Sequence, residues 1–409
     1  MKKKFLTAML MALLCGKNVS AQGFLRVKNT KIENDLNKDF VLRGIGLGGY
    51  MLQEGYMYDL SKLGQQHKIR EKITSLVGED KAADFYKKWL HNFIQKADID
   101  SLAAWGFNSV RLPMHYDLFT LPVAQETIKG ENTWLPIGFQ MVDSLLSWCG
   151  QDHIYLILDL HAAPGGQGND LPISDRYPDQ PSLWESQENQ DKTVALWKQL
   201  AHRYKNEKWI GGYDILNETN WGFDDTTDKR GASEKGNIPL RNLLVKITKA
   251  IRSEDKKHIV FLEGNGFANN YNGIFPLWDK NIVVSFHKYW NPNTQEVIQK
   301  FLDYRTQYNV PLWLGESGEN DNVWFAEATK LMEKNDIGWC WWPLKKMGAS
   351  NPLQIKKPDN YQLFVDYCTG KSNDLDRNVA RQILSDWLEN LKVQNNTVHH
   401  DVIDALMQR

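Results

Sequence analysis

Short apolar runs alternate with amphipathic stretches along most of the chain. Residues 40–47, 107–112, 154–160, 210–216, 259–262, 282–286, 312–314 and 337–342 have strand character. A further strand reading covers 24–31, with a polar turn over 33–39. Helical periods fill the spaces between, at 81–105, 139–149, 192–204, 240–252, 294–304, 323–334 and 379–391. In the first of them Phe85, Trp89, Phe93, Ala97 and Leu102 mark one face. Counting the strand from Val41 as the first gives eight strand–helix units. Strand–helix alternation implies a parallel sheet, and eight units imply a closed (β/α)8 TIM barrel in a single domain with long βα loops. An open doubly wound sheet is the competing architecture.

The ends of the chain read differently. Lys2, Lys3 and Lys4, an apolar run over 5–14 and the small residues Val19-Ser20-Ala21 spell a signal peptide over 1–21. The run is too short to span a membrane, which takes about 20 apolar residues. Export to periplasm, cell surface or medium is therefore expected; Cys15 raises lipid attachment as an alternative, with the bulky Leu14 against it. The catalytic domain is expected over 22–395, and 396–409 as a helical extension or tail. A net charge of −1 gives no reason to expect nucleic acid or an anionic membrane as partner. Beyond the signal, Cys149, Cys340 and Cys368 are an odd, widely spaced set, neither a disulfide framework nor a zinc site. Buried thiols, with at most one bridge, are expected. The chain carries 16 Trp, 15 Tyr and 16 Phe, and rings beyond the needs of the core suit flat amphipathic ligands such as sugars.

In a TIM barrel, chemistry sits at the C-terminal strand ends. Read in turn, those ends are Arg111, His161, Asn217-Glu218, Glu263, His287 with Tyr289, Glu316, and Trp341-Trp342. Glu218 and Glu316 each follow a buried strand, where a carboxylate is costly unless paired or used. Strands four and seven face each other across the mouth, so both glutamates can address one bond. The stretches SVRLP (109–113), LDLHAAPGGQ (158–167), DILNE (214–218), SFHKYW (285–290), WLGESG (313–318) and WWPLK (341–345) carry a family resemblance. The chain resembles the family-5 glycoside hydrolases, the cellulase family of retaining β-glycosidases. RGIGLGGYMLQEGY (43–56) and LDLHAAPG look most like the exo-β-1,3-glucanase branch, although Tyr50 stands where that branch has Trp and the 168–177 loop matches poorly.

The resemblance implies that Glu316 is the nucleophile and Glu218 the acid/base of a double displacement on a β-glucan polysaccharide or oligosaccharide. No metal or cofactor is expected; a monomer is expected too, although the sequence itself is silent on oligomeric state. It puts Arg111 and Tyr289 on Glu316, Asn217 on the sugar 2-hydroxyl, and His161 and His287 on the sugar or the glutamates. Trp342 would stack beneath the sugar, and strand parity lets only one of Trp341 and Trp342 face it. Glu54 matches an acid that contacts the non-reducing sugar. Other readings stay open: Arg111 pairing with Asp214, Glu263 in substrate contact or in structural pairing, and Trp221, Trp290 and Trp324 as subsite or cover. Specificity is expected in the loops 51–78, 168–184 and 222–237. An endo-acting β-1,4-glucanase or mannanase, a metal-dependent barrel hydrolase and a non-catalytic glycan-binding barrel are the rivals.

Overall fold

The computed structural model describes residues 23–408; the signal expected over 1–21 lies outside them. Eight parallel strands close into a barrel: β1 (Arg43–Gly46), β2 (Ser109–His115), β3 (Tyr155–Ala162), β4 (Ile210–Asp214), β5 (Val260–Glu263), β6 (Ile282–His287), β7 (Leu312–Gly318) and β8 (Gly338–Trp342). Closure is direct, because β8 pairs with β7 on one side and with β1 on the other. The fold is the (β/α)8 TIM barrel, in one domain.

The period-2 alternation of each strand sorts its side chains into two environments. On β3, Leu156, Leu158 and Leu160 join the core beneath the outer helices, while Tyr155 and Ile157 join a smaller interior cluster with Phe261, Val283, Trp313 and Cys340. Further along the same inward face come Asp159 and His161, both buried. The barrel interior is thus apolar low down and charged toward the mouth. An N-terminal hairpin, Arg26–Lys28 with Lys31–Glu33, contributes Leu25 and Ile32 to the apolar end, and the Tyr155 hydroxyl donates to the Gly23 carbonyl at 2.6 Å. The chain therefore reverses at Asn29-Thr30, inside the 24–31 stretch that reads as one strand. Asn29 takes a left-handed φ of 54°, which Asn tolerates in tight turns.

The outer layer follows the helical periods, with differences at the long connections. The 81–105 region is two helices, Glu79–Asn92 and Lys96–Trp105, and a further helix, Gln66–Val77, lies within the 51–78 loop. Between β5 and β6 stands only the four-residue Asn265–Ala268. Lys96–Trp105 begins with a reciprocal cap between Gln95 and Asp98. Asp98 also meets Lys345 at 2.6 Å, both fully buried. At the C-terminus Thr397–Val398 pairs with Leu353–Gln354, and His400–Met407 packs on Asn322–Lys334 with Val402, Ile403 and Leu406 buried. Cys149, Cys340 and Cys368 are buried free thiols. Among the described residues no helix is long and apolar enough to cross a membrane.

Candidate active site

Arg111 organises the mouth of the barrel. It is wholly buried on β2 and reaches side chains of other strands across the barrel with every nitrogen. Nε donates to Asp214 at 2.8 Å, Nη1 to Glu316 at 2.5 Å, and Nη2 to Asn217 at 2.8 Å and Glu263 at 3.0 Å. Asp159 lies 3.2 Å from Nη1. Pairing with Asp214 and holding Glu316 are therefore simultaneous. The planar guanidinium suits this work, since it presents donors in a fixed fork and stays charged.

The rest of the cluster builds on that cation. His287 on β6 donates from Nδ1 to Glu218 at 2.6 Å, and its Nε2 is 3.2 Å from Glu263. Tyr289 donates its hydroxyl to Glu316 Oε2 at 2.9 Å. His161 holds Asp159 at 2.7 Å through Nδ1, and its Nε2 faces the Asn217 amide nitrogen at 3.3 Å. The Arg111 contact fixes which way that amide points. Trp342 lies parallel to His161 with centroids 5.2 Å apart, and its Nε1 donates to the Tyr56 hydroxyl at 2.8 Å. Trp341 points the other way, against Phe325 and Trp324, as strand parity requires. The glycine-rich 43–49 stretch explains the indole's seat. A Cβ on Gly46 would fall 2.4 Å from Trp342 Cε3, and one on Gly48 2.6 Å from Cζ2.

One oxygen of Glu218 and one of Glu316 lie within 4.8 Å of each other, and a His287 nitrogen within the same distance of both. Their environments separate them chemically. Burial pushes the Glu316 carboxyl up, but His287, Arg111 and His161 outweigh it and hold it below the usual carboxylate range. Burial also raises Glu218, and there the negative charges of Glu316 and Glu263 add to it, so the His287 contact does not bring it back down. Burial disfavours the His287 cation, yet Glu263, Glu316 and Glu218 together keep it charged well above the ordinary histidine range. The site therefore sets a carboxyl held below its ordinary range beside one pushed above it. Three such groups could attract a metal ion, but they are already bonded elsewhere: Glu218 and His287 to each other, Glu316 to Arg111 and Tyr289. A metal ion would have to break those bonds beside two cations.

Above the cluster opens a cleft of about 980 Å³. Glu54, Tyr56, His161, Glu218, His287, Tyr289, Glu316 and Trp342 line it together with Trp290, Asp170, Ile173 and Arg230. Each of the three loops expected to carry specificity supplies part of this wall. Burial pushes the Glu54 carboxyl up to about 8, helped by Glu316 and Glu218 and opposed by His161. Of the three open tryptophans only Trp290 lines the cleft; Trp324 lies against Lys288, and Trp221 under Arg176. Tyr58, next to this group in sequence, is core, packed edge-on to Trp89 and Trp387. Sequence reading did not single out Asp159 or Glu319. Asp159 shares the inward face of β3 with His161, which is a usable signal. Glu319 accepts from the Tyr56 hydroxyl at 3.3 Å and pairs with Lys346, and nothing local in sequence marks it.

Comparison with known proteins agrees with this geometry. Residues 69–348 match the model of the cellulase family, glycosyl hydrolase family 5. A beta-xylosidase of Phanerodontia chrysosporium is 25% identical, covering 93% of this chain and 85% of its own length. A probable glucan 1,3-beta-glucosidase A of Aspergillus fumigatus is 26% identical over 61% of this chain and 56% of its own. Among solved structures, the cellulose synthase subunit Z of Clostridioides difficile shares the fold, with a TM-score of 0.55 at 16% identity over 90% of this chain and all of that one. With the family model spanning most of the barrel, the chain belongs to glycosyl hydrolase family 5 and is a glycosidase.

Proposed function

We propose that the protein is an exported, retaining exo-β-glucanase that releases sugar from β-1,3-linked glucan by double displacement. The observation that carries the mechanism is the Glu218–Glu316 pair: carboxylate oxygens within 4.8 Å, with Glu316 held below its ordinary range and Glu218 pushed above it. Retaining enzymes hold their carboxyls about 5–5.5 Å apart, and inverting ones leave room for a water between. Glu316 attacks the anomeric carbon while Glu218 gives its proton to the departing oxygen. Once Glu316 is esterified its negative charge is gone, and Glu218 releases its proton more readily. It then takes a proton from the water that attacks the glycosyl–enzyme bond. The pair behaves as one coupled system.

Around that bond, Asn217 is suited to the sugar 2-hydroxyl and Trp342 to the sugar face. Glu54, protonated at neutral pH, offers a hydrogen bond to the terminal sugar without adding charge. The β-1,3 linkage is supported by the glycine-rich 43–56 stretch and by the Aspergillus relative's name, export by the basic–apolar–small pattern of residues 1–21.

A product profile over time tests the reading. Residues 22–409 are incubated with laminarin, barley mixed-linkage glucan, carboxymethyl-cellulose, pustulan and mannan, with an aryl β-xyloside added because of the Phanerodontia relative. Glu316→Gln serves as control, and EDTA should leave turnover unchanged. Glucose alone from laminarin at the earliest time supports the exo reading. A ladder of oligosaccharides from another polymer means an open, endo-acting cleft.

A further inference from the structure

Glu263 ends β5 and has no direct path to the bond being cleaved, since it is not among the side chains that line the cleft. It is nevertheless 1% exposed, and each of its oxygens is used. Oε1 accepts from Arg111 Nη2 at 3.0 Å and lies 3.2 Å from His287 Nε2. Oε2 accepts the backbone N–H of Glu218 at 2.6 Å. That last contact is unusual in its setting. Glu218 has φ of 35°, a left-handed conformation that side-chain-bearing residues adopt rarely and keep only when the surroundings impose it. The chain has left the β4 ladder by this point, so its amide needs an acceptor from elsewhere. A carboxylate supplies a stronger, charge-assisted one than a carbonyl would.

We propose that Glu263 is a positioning residue for the two catalytic glutamates: its carboxylate pins the backbone of Glu218 in the left-handed turn and anchors the guanidinium and imidazole that reach both carboxyls. The reading rests on the two-glutamate mechanism above. The acid/base is thus held from both ends, at its amide by Glu263 and at its carboxyl by His287, whose Nε2 lies 3.2 Å from the Glu263 charge. The groups facing Glu263 are the cations Arg111 and His287, the acids Glu218, Glu316, Asp159 and Asp214, and the Tyr271 phenol. Burial raises Glu263, but His287, Arg111 and the Glu218 amide bring it down to about 2, so it stays ionised across the working range. Removing one fixed negative charge weakens the cluster's hold on its most weakly held proton, whichever of Glu218 and His287 carries it.

The test uses Glu263→Gln, which keeps size and removes charge, and Glu263→Asp, which keeps charge and shortens the reach. Expected for Glu263→Gln is a kcat lower by about 10- to 100-fold with KM changed little, and a basic limb of kcat/KM moved down by about one pH unit. Glu263→Asp should restore the basic limb but not kcat. Thermal unfolding and circular dichroism establish that both variants are folded. A folded Glu263→Gln with wild-type kcat and pH profile overturns the proposal. So does a kcat that falls together with Tm while the basic limb stays in place, since that is a purely structural role. If wild type and Glu316→Gln release sugar equally, the mechanism itself fails. The contact is then still read without substrate, by NMR titration of the His287 ring: a proton lost at lower pH in Glu263→Gln supports the anchoring, and an unchanged titration overturns it.

Discussion

Glu218 and Glu316 carry the same functional group within 4.8 Å of each other, and surroundings alone shift their carboxyls in opposite directions. Glu316 is bonded by Arg111 and Tyr289, whereas Glu218 faces the negative charges of Glu316 and Glu263. The sign of the pH dependence follows. Under the proposed roles, activity should be lost as pH falls through the depressed Glu316 value, and lost again as pH rises through the elevated Glu218 value. The measured kcat/KM profile should be a bell whose acid limb lies below the ordinary carboxylate range and whose basic limb lies above it. Activity still rising through pH 9 would contradict the assignment. Glu218→Gln should lower kcat by on the order of 10²–10⁴ for a substrate with a poor leaving group. Glu218 and Glu316 are legible in sequence because each closes an apolar run in a recognisable motif, and Arg111 because a cation stands inside the apolar strand Ser109–His115. Asp159 and Glu263 are harder to read. Their meaning comes from what stands on other strands, and sequence spacing does not show that Glu263 meets the amide of Glu218.

At the level of elements, the turn after β1 works through what it leaves out. Gly46 and Gly48 lack the atoms that would occupy the place of the Trp342 ring. In Gly48→Ala the new methyl is about 1 Å short of van der Waals distance, so the indole has to shift. We expect kcat/KM to fall by about a hundredfold, the scale of an ångström's misplacement. An unchanged value would mean that the ring does not touch sugar. Beneath the site, the buried Asp98–Lys345 pair ties Lys96–Trp105 to the segment after β8. Lys345→Met leaves a buried carboxylate uncompensated and should cost about 3–5 kcal/mol in denaturant unfolding, while Lys345→Met with Asp98→Asn should recover part of it. The alternating strands and helices were readable because burial on both strand faces gives continuous apolar runs. Gln66–Val77 also has a helical period, at Ile69, Ile73, Leu76 and Val77, but it falls outside the strand–helix alternation that places the others.

For the molecule as a whole, the last helix is part of the fold rather than an appendage. His400–Met407 lays Val402, Ile403 and Leu406 against the layer outside β7 and β8. Leu406→Ala should cost about 2–5 kcal/mol by denaturant unfolding and leave kcat unchanged, because Leu406 is remote from the cleft. Equal losses of stability and kcat would show that the helix couples to the mouth. The barrel itself was legible from strand count and alternation. Cleft shape was not, since it depends on three long loops whose meeting is a matter of tertiary packing.

Arg111 touches groups on or just beyond β3, β4, β5 and β7 from its own place on β2. It acts as a keystone: five staves of the barrel lean on one cation. Many enzymes gain stability when a functional residue is removed, because active sites store strain. Here the trade runs the other way, since losing the cation would leave buried acids crowded together in the barrel. A random library screened only for soluble expression, with no selection for turnover, should therefore still retain Arg111. Drift toward a silent, folded descendant would begin at Glu218 or Trp342 and reach Arg111 last.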